Sequence, residues 1–240
     1  MNEEFLKADL HIHTPGSVCC SERSVTAEDI VDTAVQAGLD IIAVTDHNSV
    51  SYIDAVRSAA HSRNLLFFPG MELSARGGHV LALFDPATPS GLLKGLLDRL
   101  GIPVEARGDA GFTIEWIEDI FRIVHEWGGV PVAAHIERWP TGFLETAERR
   151  DTKARIYRSP YLAALEITQA QKKGQWTRGE IKHYAKSHAC IQASDAHALE
   201  DIGRRITYLK LPSLDLEGLR TAFREHEHRI RFPEEMDHAD

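Results

Sequence analysis

Short apolar runs alternate with longer amphipathic stretches along the chain. The runs are five to seven residues long and end at polar or turn-forming residues, which is typical of buried strands. They occupy 6–12, 40–45, 65–69, 79–84, 130–134, 162–167, 189–193 and 205–211. This alternation predicts repeated β/α units around a mainly parallel sheet.

The amphipathic stretches between the runs predict helices. Segment 26–37 is the clearest, because Thr26 can cap its N-terminus, Asp29 lies three residues later and Gly38 can end it. Further helices are predicted at 49–62, 113–127, 178–188 and 214–225. Segments 91–101 and 107–111 are predicted to be irregular, and 138–160 is predicted to be a loop or lid.

The length of 240 residues is compatible with one α/β barrel domain over 1–240, with a C-terminal strand, helix and short tail at 204–240. A net charge of −9 argues against an extended nucleic-acid surface, which requires clustered cations. A small phosphorylated substrate remains compatible with that charge if bound cations neutralise it. No apolar stretch predicts a membrane span, and three unevenly spaced cysteines suggest a reducing cytoplasm.

Side chains that commonly bind metals follow the predicted strands. His11 and His13 are two residues apart, so strand alternation points both imidazoles to one side. Each of the other candidates alone would be weak evidence, but together they lie at the ends of successive strands, where parallel α/β folds place their ligands. The predicted metal ligands are His11, His13, His47, Glu72, His79, His135, Asp195 and His197. The remaining histidines are predicted to be solvated: His61, His125, His183, His188, His226, His228 and His238.

The ordered motifs HIH, TDHN, MELS, GGH, AAH and SDAH extend from about Lys7 to Gly203. This series resembles the PHP family, the polymerase and histidinol phosphatase superfamily. The resemblance implies a distorted (β/α)7 barrel of the TIM-like type with two or three divalent metal ions, commonly zinc, manganese or iron. It also implies phosphoester hydrolysis as the activity.

The resemblance also implies how the ligands divide among the ions. One cation would take His11, His13, Glu72 and Asp195; a second would take Glu72, His79 and His135; His47 and His197 would serve a third. The chain departs from the family pattern after His13, where many members place an Asp or His and this sequence has Thr14 to Cys20. Cys19 either replaces that ligand as a thiolate or is a small buried residue.

Metal activation of water is the mechanism that the residues support. The sequence contains neither a phosphate-binding Gly-rich loop with Lys nor a Gly-x-Ser-x-Gly elbow. Two cations about 3.5–4 Å apart would lower the pKa of a bridging water and neutralise phosphate charge. Asp9 and Asp46 are predicted to hold ligand imidazoles, and Asp46 could also receive a proton. Gly77 and Gly78 are predicted to let the backbone approach the crowded centre.

Several residues near the centre are candidates for substrate binding. Arg76 and Arg138 could clamp a phosphate, although either could be an ordinary surface arginine. Trp139, Phe143 and Trp176 could stack on a base or pack locally. The expected substrate is a small phosphorylated molecule, with a nucleotide or short oligonucleotide favoured.

Two alternatives stay open at this stage. An amidohydrolase-type metal hydrolase also begins with His-x-His after its first strand, although the later TDH, ELS and SDAH motifs argue against it. A non-catalytic PHP module could instead keep its metals for stability or partner binding.

Overall fold

Strands and helices alternate along residues 4–236, the part of the chain that the computed structural model describes. The strands are β1 (Leu6–Ile12), β2 (Ile41–Val44), β3 (Leu66–Arg76), β4 (Gly78–Leu83), β5 (Ile114–Trp116), β6 (Val130–Ala133), β7 (Ala164–Glu166), β8 (Ala189–Ile191), β9 (Thr207–Leu209) and β10 (Ile230–Arg231). The helices are α1 (Ala27–Gln36), α2 (Ile53–Ser62), α3 (Ser90–Arg99), α4 (Ile117–Glu126), α5 (Arg150–Arg158), α6 (Lys173–Thr177), α7 (Leu216–Arg224), α8 (His226–Arg229) and α9 (Pro233–Met236). All eight predicted strand segments contain a strand. No helix among residues 4–236 is long and apolar enough to cross a membrane.

The strands form one sheet that is nearly closed into a barrel. Their order is β10-β9-β1-β2-β3-β4-β6-β7-β8, with β5 beside β3. The gap between β1 and β8 is bridged beyond the strand ends, where Ile12 pairs with Ala196 and the amide of His13 donates to the Ala196 carbonyl over 2.9 Å. The expected α/β barrel class is therefore confirmed.

The sheet is less parallel than predicted. Strands β3 and β4 are joined by Gly77 alone, and such a short connection requires an antiparallel pair. Strand β4 is also antiparallel to β6, and β9 is antiparallel to β1. The start of β4 consequently lies at the rim where the neighbouring parallel strands end.

The barrel interior is apolar at one end and polar at the other. The apolar part contains Ala8, Ile41, Phe68 and Leu83, and α7 packs Leu219 against the same cluster. Two contacts hold α7 there: the amide of Leu216 donates to Asp85, and Arg220 donates to the carbonyls of Gly128 and Gly129. Helix α7 therefore closes the end of the barrel opposite to the histidines.

Helices α1 to α5 pack on the outer face of the sheet and contribute to a second apolar cluster. The predicted cap of α1 is confirmed: Thr26 accepts from the Asp29 amide, and the Asp29 carboxylate accepts from the Thr26 amide. This reciprocal pair satisfies two backbone donors at the start of the helix.

Three local predictions are wrong. Segment 91–101 is predominantly helical, since Leu93, Leu96 and Leu97 form a buried stripe that outweighs its glycines. The predicted loop at 138–160 contains α5, which buries Ile156 and Tyr157. Residues 178–188 form turns instead of a helix, and Gly179 has a left-handed backbone with φ of 66°.

Candidate metal centre

A β-bulge in β1 directs His11 into the barrel. Asp9 pairs with Ile42 and Ile12 pairs with Val44, so β1 has one more residue than β2 between these two pairs. Ile12 packs in the outer cluster, and its neighbours His11 and His13 therefore face the opposite side, where their Nε2 atoms are 3.1 Å apart. The prediction that both imidazoles share a side is confirmed; strand alternation is the cause, and the bulge makes that side the barrel interior.

Glu72 lies at the centre of the histidines. It is fully buried within β3, rather than beyond a strand end as the sequence suggested. Its Oε1 is 2.8 Å from His79 Nδ1 and 2.9 Å from His135 Nε2. Its Oε2 is 3.2 Å from the Nε2 atoms of His11 and His13 and 3.1 Å from His47 Nδ1. One carboxylate thus faces five imidazoles.

Two of the predicted ligands have unusual backbone conformations. His135 follows β6 with φ of 26°, and Asp195 follows β8 with φ of 52°. Non-glycine residues rarely adopt the left-handed region, and such strain is concentrated at functional sites. The turn at Asp195 brings its Oδ1 to 3.1 Å from His13 Nε2 and 3.2 Å from His11 Nε2.

The eight predicted ligands all lie in this region. Two groups have ligand atoms within 4.8 Å of one another: His11, His13, Glu72 and Asp195 in one, and His47, Glu72 and His79 in the other. A third group joins His13, His47 and His197 to Cys19. His135 approaches the second group through Glu72.

The ligand atoms of the first group lie close to the spacing that a metal ion requires, slightly nearer to one another than bound ligands would be. Bonds of about 2.0–2.2 Å to a tetrahedral ion place ligand atoms roughly 3.3–3.6 Å apart. The separations from His11 and His13 to Glu72 and Asp195 are 3.1–3.2 Å. His135 Nδ1 is buried without a hydrogen-bond partner, and His47 Nδ1 is buried 3.1 Å from Glu72 Oε2 without forming a hydrogen bond. This donor set therefore fits divalent ions.

Charge interactions inside the cluster shift its pKa values. Burial disfavours the charged form of His11, but the charges of Asp195, Glu166 and Glu72 outweigh burial and raise its pKa well above the usual value. Burial likewise acts to raise the pKa of Glu72, but the surrounding imidazoles hold it well below the usual value. Burial lowers the pKa of His47 to about 3. The Glu72 carboxylate is therefore held in its ionised form and is available as a ligand.

Asp46 and Asp9 have different partners from those predicted. Asp46 accepts from the amide and hydroxyl of Thr14 and from Ser17, so it reaches His13 only through the Ser17 hydroxyl, 3.0 Å from His13 Nδ1. Asp9 accepts from the amides of His11, Ser194 and Gly203. It therefore positions backbone rather than an imidazole.

Glu166, a buried carboxylate at the end of β7, is a functional residue that was not predicted from the sequence. Its Oε2 is 3.0 Å from His11 Nδ1 and accepts from the His135 amide over 2.9 Å. A partner at Nδ1 orients the ring and leaves Nε2 for a metal. An acid inside the apolar run 162–167 was the available signal.

The two candidate arginines differ in their contacts. Arg138 is half-exposed and donates to Asp195 Oδ2, at the edge of the cluster. Arg76 ends β3, is exposed and lies 5.4 Å from the ring of Trp116. The structure therefore joins Arg138, but not Arg76, to the cluster.

The aromatic candidates and the remaining histidines differ in how far their side chains are exposed to solvent. Trp139 is 77% exposed, whereas Phe143 and Trp176 are buried in the outer cluster. The prediction that His188 is solvated is wrong: it is buried, and its Nε2 donates to the Tyr157 carbonyl over 2.8 Å. His238 lies outside the described residues.

Gly78 has a structural role that differs from the predicted one. Its φ is 140°, and a Cβ at this position would lie 3.0 Å from the backbone of Phe143. The close approach is therefore to the loop after β6, rather than to the metal ligands. The same loop holds β4 in place, because the His79 amide donates to the Thr141 carbonyl over 3.0 Å.

The fold and the cluster define an α/β barrel protein with buried groups of the kind that hold divalent metal ions. Residues 9–93 match the family model of the PHP domain, which confirms the resemblance of the motifs to that family. A stretch of 117 residues is 30% identical to the 3′,5′-nucleoside bisphosphate phosphatase of Chromobacterium violaceum. The match covers 43% of this chain and 40% of that relative, so it spans less than half of either protein.

Solved structures share the fold over most of the chain. A lesion-specific endonuclease from Pyrococcus furiosus matches with a TM-score of 0.69 and 18% identity, over 92% of this chain and 56% of that one. An amidohydrolase from Chromobacterium violaceum, solved with bound sulfate and no metal, matches with a TM-score of 0.60 and 20% identity. That match covers 94% of this chain and 98% of the neighbour.

Proposed function

We propose that this protein is a metal-dependent phosphoesterase. The observation that carries the proposal is the position of Glu72, whose two carboxylate oxygens face different histidines. A carboxylate placed in this way can be shared by two neighbouring ions, and paired ions are characteristic of enzymes that hydrolyse phosphate esters.

The proposed ligands follow from the two groups that meet at Glu72. His11, His13, Glu72 and Asp195 would hold one ion, and Glu72, His79 and His135 would hold a second, with His47 adjacent. When bound, such ions lower the pKa of water and neutralise charge on the phosphate. The metal identity stays open among zinc, manganese and iron, because imidazole and carboxylate suit all three.

The surrounding residues prepare the ligands. Glu166 holds His11 through Nδ1, and Ser17, itself bonded to Asp46, holds His13 in the same way. Arg138 can exchange part of its contact with Asp195 for a phosphate oxygen, since guanidinium binds either group in a bidentate manner. We therefore propose Arg138 as a phosphate-binding residue and Asp46 as a positioning residue.

The substrate that we propose is a small phosphorylated molecule, with a nucleotide favoured over a long nucleic acid. The relative that acts on a nucleoside bisphosphate supports this choice. The net charge of −9 opposes binding to an extended polyanion. Trp139, which is exposed and adjacent to Arg138, offers a surface on which a base could stack.

The test is a substrate panel with the purified protein loaded with manganese or zinc. Nucleoside bisphosphates, phosphomonoesters, dinucleotides and cyclic amides are offered in parallel, and we expect turnover of a phosphate ester. Turnover of amides alone would defeat the proposal in favour of an amidohydrolase. Glu72→Gln should lose more activity than Cys19→Ser, because Gln cannot be shared between two ions as a carboxylate can.

A non-catalytic metal-binding module is the second candidate. It predicts that His11→Ala changes metal content without any loss of turnover. We expect instead that folded His11→Ala protein, verified by circular dichroism, loses phosphoesterase activity.

We further propose a reducing compartment such as the cytoplasm. The three cysteines form no disulfide within the described residues 4–236, and Cys19 is exposed. Reduced thiols of this kind persist where glutathione and thioredoxin are present.

A further inference from the structure

The third group of ligand-type side chains contains a thiol. Cys19, His13, His47 and His197 each offer a ligand atom within 4.8 Å of the others. The rings of His13 and His197 are 4.3 Å apart, and those of His13 and His47 are 4.6 Å apart. Three imidazoles and a thiol are a donor set that binds zinc and related metals.

A hydrogen bond from one ring nitrogen of His197 fixes the ring and leaves the other nitrogen free to bind a metal ion. His197 uses Nδ1 for the backbone carbonyl of Asp195, at 2.8 Å, which leaves Nε2 available. Metal-ligating histidines commonly have such a partner on the other nitrogen. His13 Nε2 already faces Glu72 and Asp195 in the first group. His47 faces Glu72 through Nδ1, so its other ring nitrogen, His197 and Cys19 remain for a separate ion.

The loop that carries Cys19 is tied to the same place. The amide and hydroxyl of Ser21 both donate to the carbonyl of His197, at 3.0 and 2.9 Å. The amide of Val18 donates to the Gly108 carbonyl over 2.8 Å. Contacts on both sides of Cys19 therefore hold the thiol beside His197.

We propose that Cys19 is a thiolate ligand of a third metal ion, held together with His47 and His197 at the mouth of the centre. Three protein ligands leave a coordination position open towards solvent, because Cys19 is exposed and His197 is part-exposed. The inference rests on the proposed function, since it adds an ion to the pair that shares Glu72.

The thiolate gives this position a metal preference of its own. Sulfur ligands favour zinc, cobalt(II) and iron(II) over manganese and magnesium. We therefore expect the third position to be occupied when the protein is loaded with zinc or cobalt and to be empty when it is loaded with magnesium.

The first experiment uses cobalt(II) as a spectroscopic probe of the metal site. The metal-free protein is titrated with cobalt(II), and the near-ultraviolet absorption band of a thiolate–cobalt bond is recorded beside metal content. We expect the wild type to show the band. Cys19→Ser should lose the band completely and should bind about one ion fewer per chain. Cys20→Ser should keep the band. Cys20 is the matched control because it is the adjacent thiol, is buried and belongs to none of the three groups.

The second experiment needs no variant. Cys19 is the exposed thiol, whereas Cys20 and Cys190 are buried. Alkylation followed by peptide mass spectrometry should show that zinc slows modification of Cys19 at least tenfold and that a chelator restores the rate. This measurement remains informative if Cys19→Ser does not fold.

The outcomes separate this inference from the proposed function. A wild type without the band, a band retained in Cys19→Ser, or alkylation of Cys19 that zinc does not change would overturn the thiolate ligand. A protein that binds two ions and hydrolyses phosphate esters would still satisfy the proposed function. A protein that binds no ion would overturn both.

Discussion

Glu166 shows how one buried carboxylate prepares two ligands. It contacts the ring of His11 and the backbone of His135, which belong to different ion groups. Its negative charge is also among the causes of the raised pKa of His11. Loss of this charge should weaken the basicity and the orientation of a ligand without removing any ligand.

Glu166→Gln tests that role. The amide preserves the shape of the side chain but removes the charge, so we expect about a 10–100-fold loss of metal affinity. Calorimetric titration of the metal-free protein with zinc measures the change. Glu200→Gln, at a side chain with 79% exposure, is the control and should bind like the wild type. Equal affinities in both variants would contradict the role of Glu166.

His188 is expected to make stability depend on pH. Burial, with a smaller effect of Lys186, lowers its pKa from 6.5 to about 4. The folded state therefore resists protonation that the unfolded state accepts, so stability is full above pH 6.5 and falls as the pH approaches 4. The loss amounts to about 3 kcal/mol. Denaturant unfolding across this range should show a shallower decline in His188→Gln, and parallel curves would refute the prediction.

The functional residues that were predicted stand in local sequence patterns, whereas those that were missed depend on contacts with residues far away in the chain. The histidines stand at or next to the ends of apolar runs, so the sequence alone predicts that they meet at one end of the barrel. Glu166 acts through His11, which lies 155 residues away, and it resembles any acid at the end of a run. His188 precedes a strand, but its burial depends on packing against Tyr157, which no local pattern encodes.

Among the elements, β4 contributes most to the unexpected geometry. Because β4 is antiparallel to β3, His79, the second residue of β4, lies opposite Ser74 and near Glu72. Gly77 and Gly78 allow this reversal, with φ of 98° and 140°. The position of His79 therefore depends on backbone that L-residues rarely adopt.

Gly78→Ala tests this dependence against Gly101→Ala, another left-handed glycine with open space around it. Backbone strain alone should cost Gly101→Ala about 1 kcal/mol. Gly78→Ala adds a clash with the Phe143 backbone and should cost about 2–3 kcal/mol. Chemical denaturation gives both values. Activity should fall in Gly78→Ala alone, and a similar loss in both variants would count against the role of the hairpin.

Elements with local signals were predicted more accurately than those without. Helix α1 carries its own capping box, and the strand runs are bounded by polar residues. Helix α3 contains two glycines, so its buried leucine stripe was hidden by residues that usually break helices. The direction of β4 depends on the length of its connection, which apolar patterning does not reveal.

At the scale of the whole molecule, metal ions should stabilise the barrel. The first group joins β1, β3 and the loop after β8, so an ion would link strands that are distant in the chain. Ions present at about a thousandfold excess over their dissociation constant contribute about 4 kcal/mol each. For a chain of this size, that corresponds to a shift in melting temperature of roughly 10 °C.

Calorimetry with zinc and with a chelator measures this shift. Glu72→Gln should show a much smaller difference between the two conditions, because it removes the shared ligand. An unchanged melting temperature of the wild type would contradict structural coupling between the ions and the barrel.

The bridge between Ile12 and Ala196 closes the barrel beside the metal ligands. Asp195 is synthesised 184 residues after His11. A growing polypeptide therefore cannot assemble the complete first group until nearly all of the barrel has left the ribosome. The first group can therefore be completed only after β8 has been made, and a nascent chain arrested before β8 would present its histidines without the aspartate that completes their set.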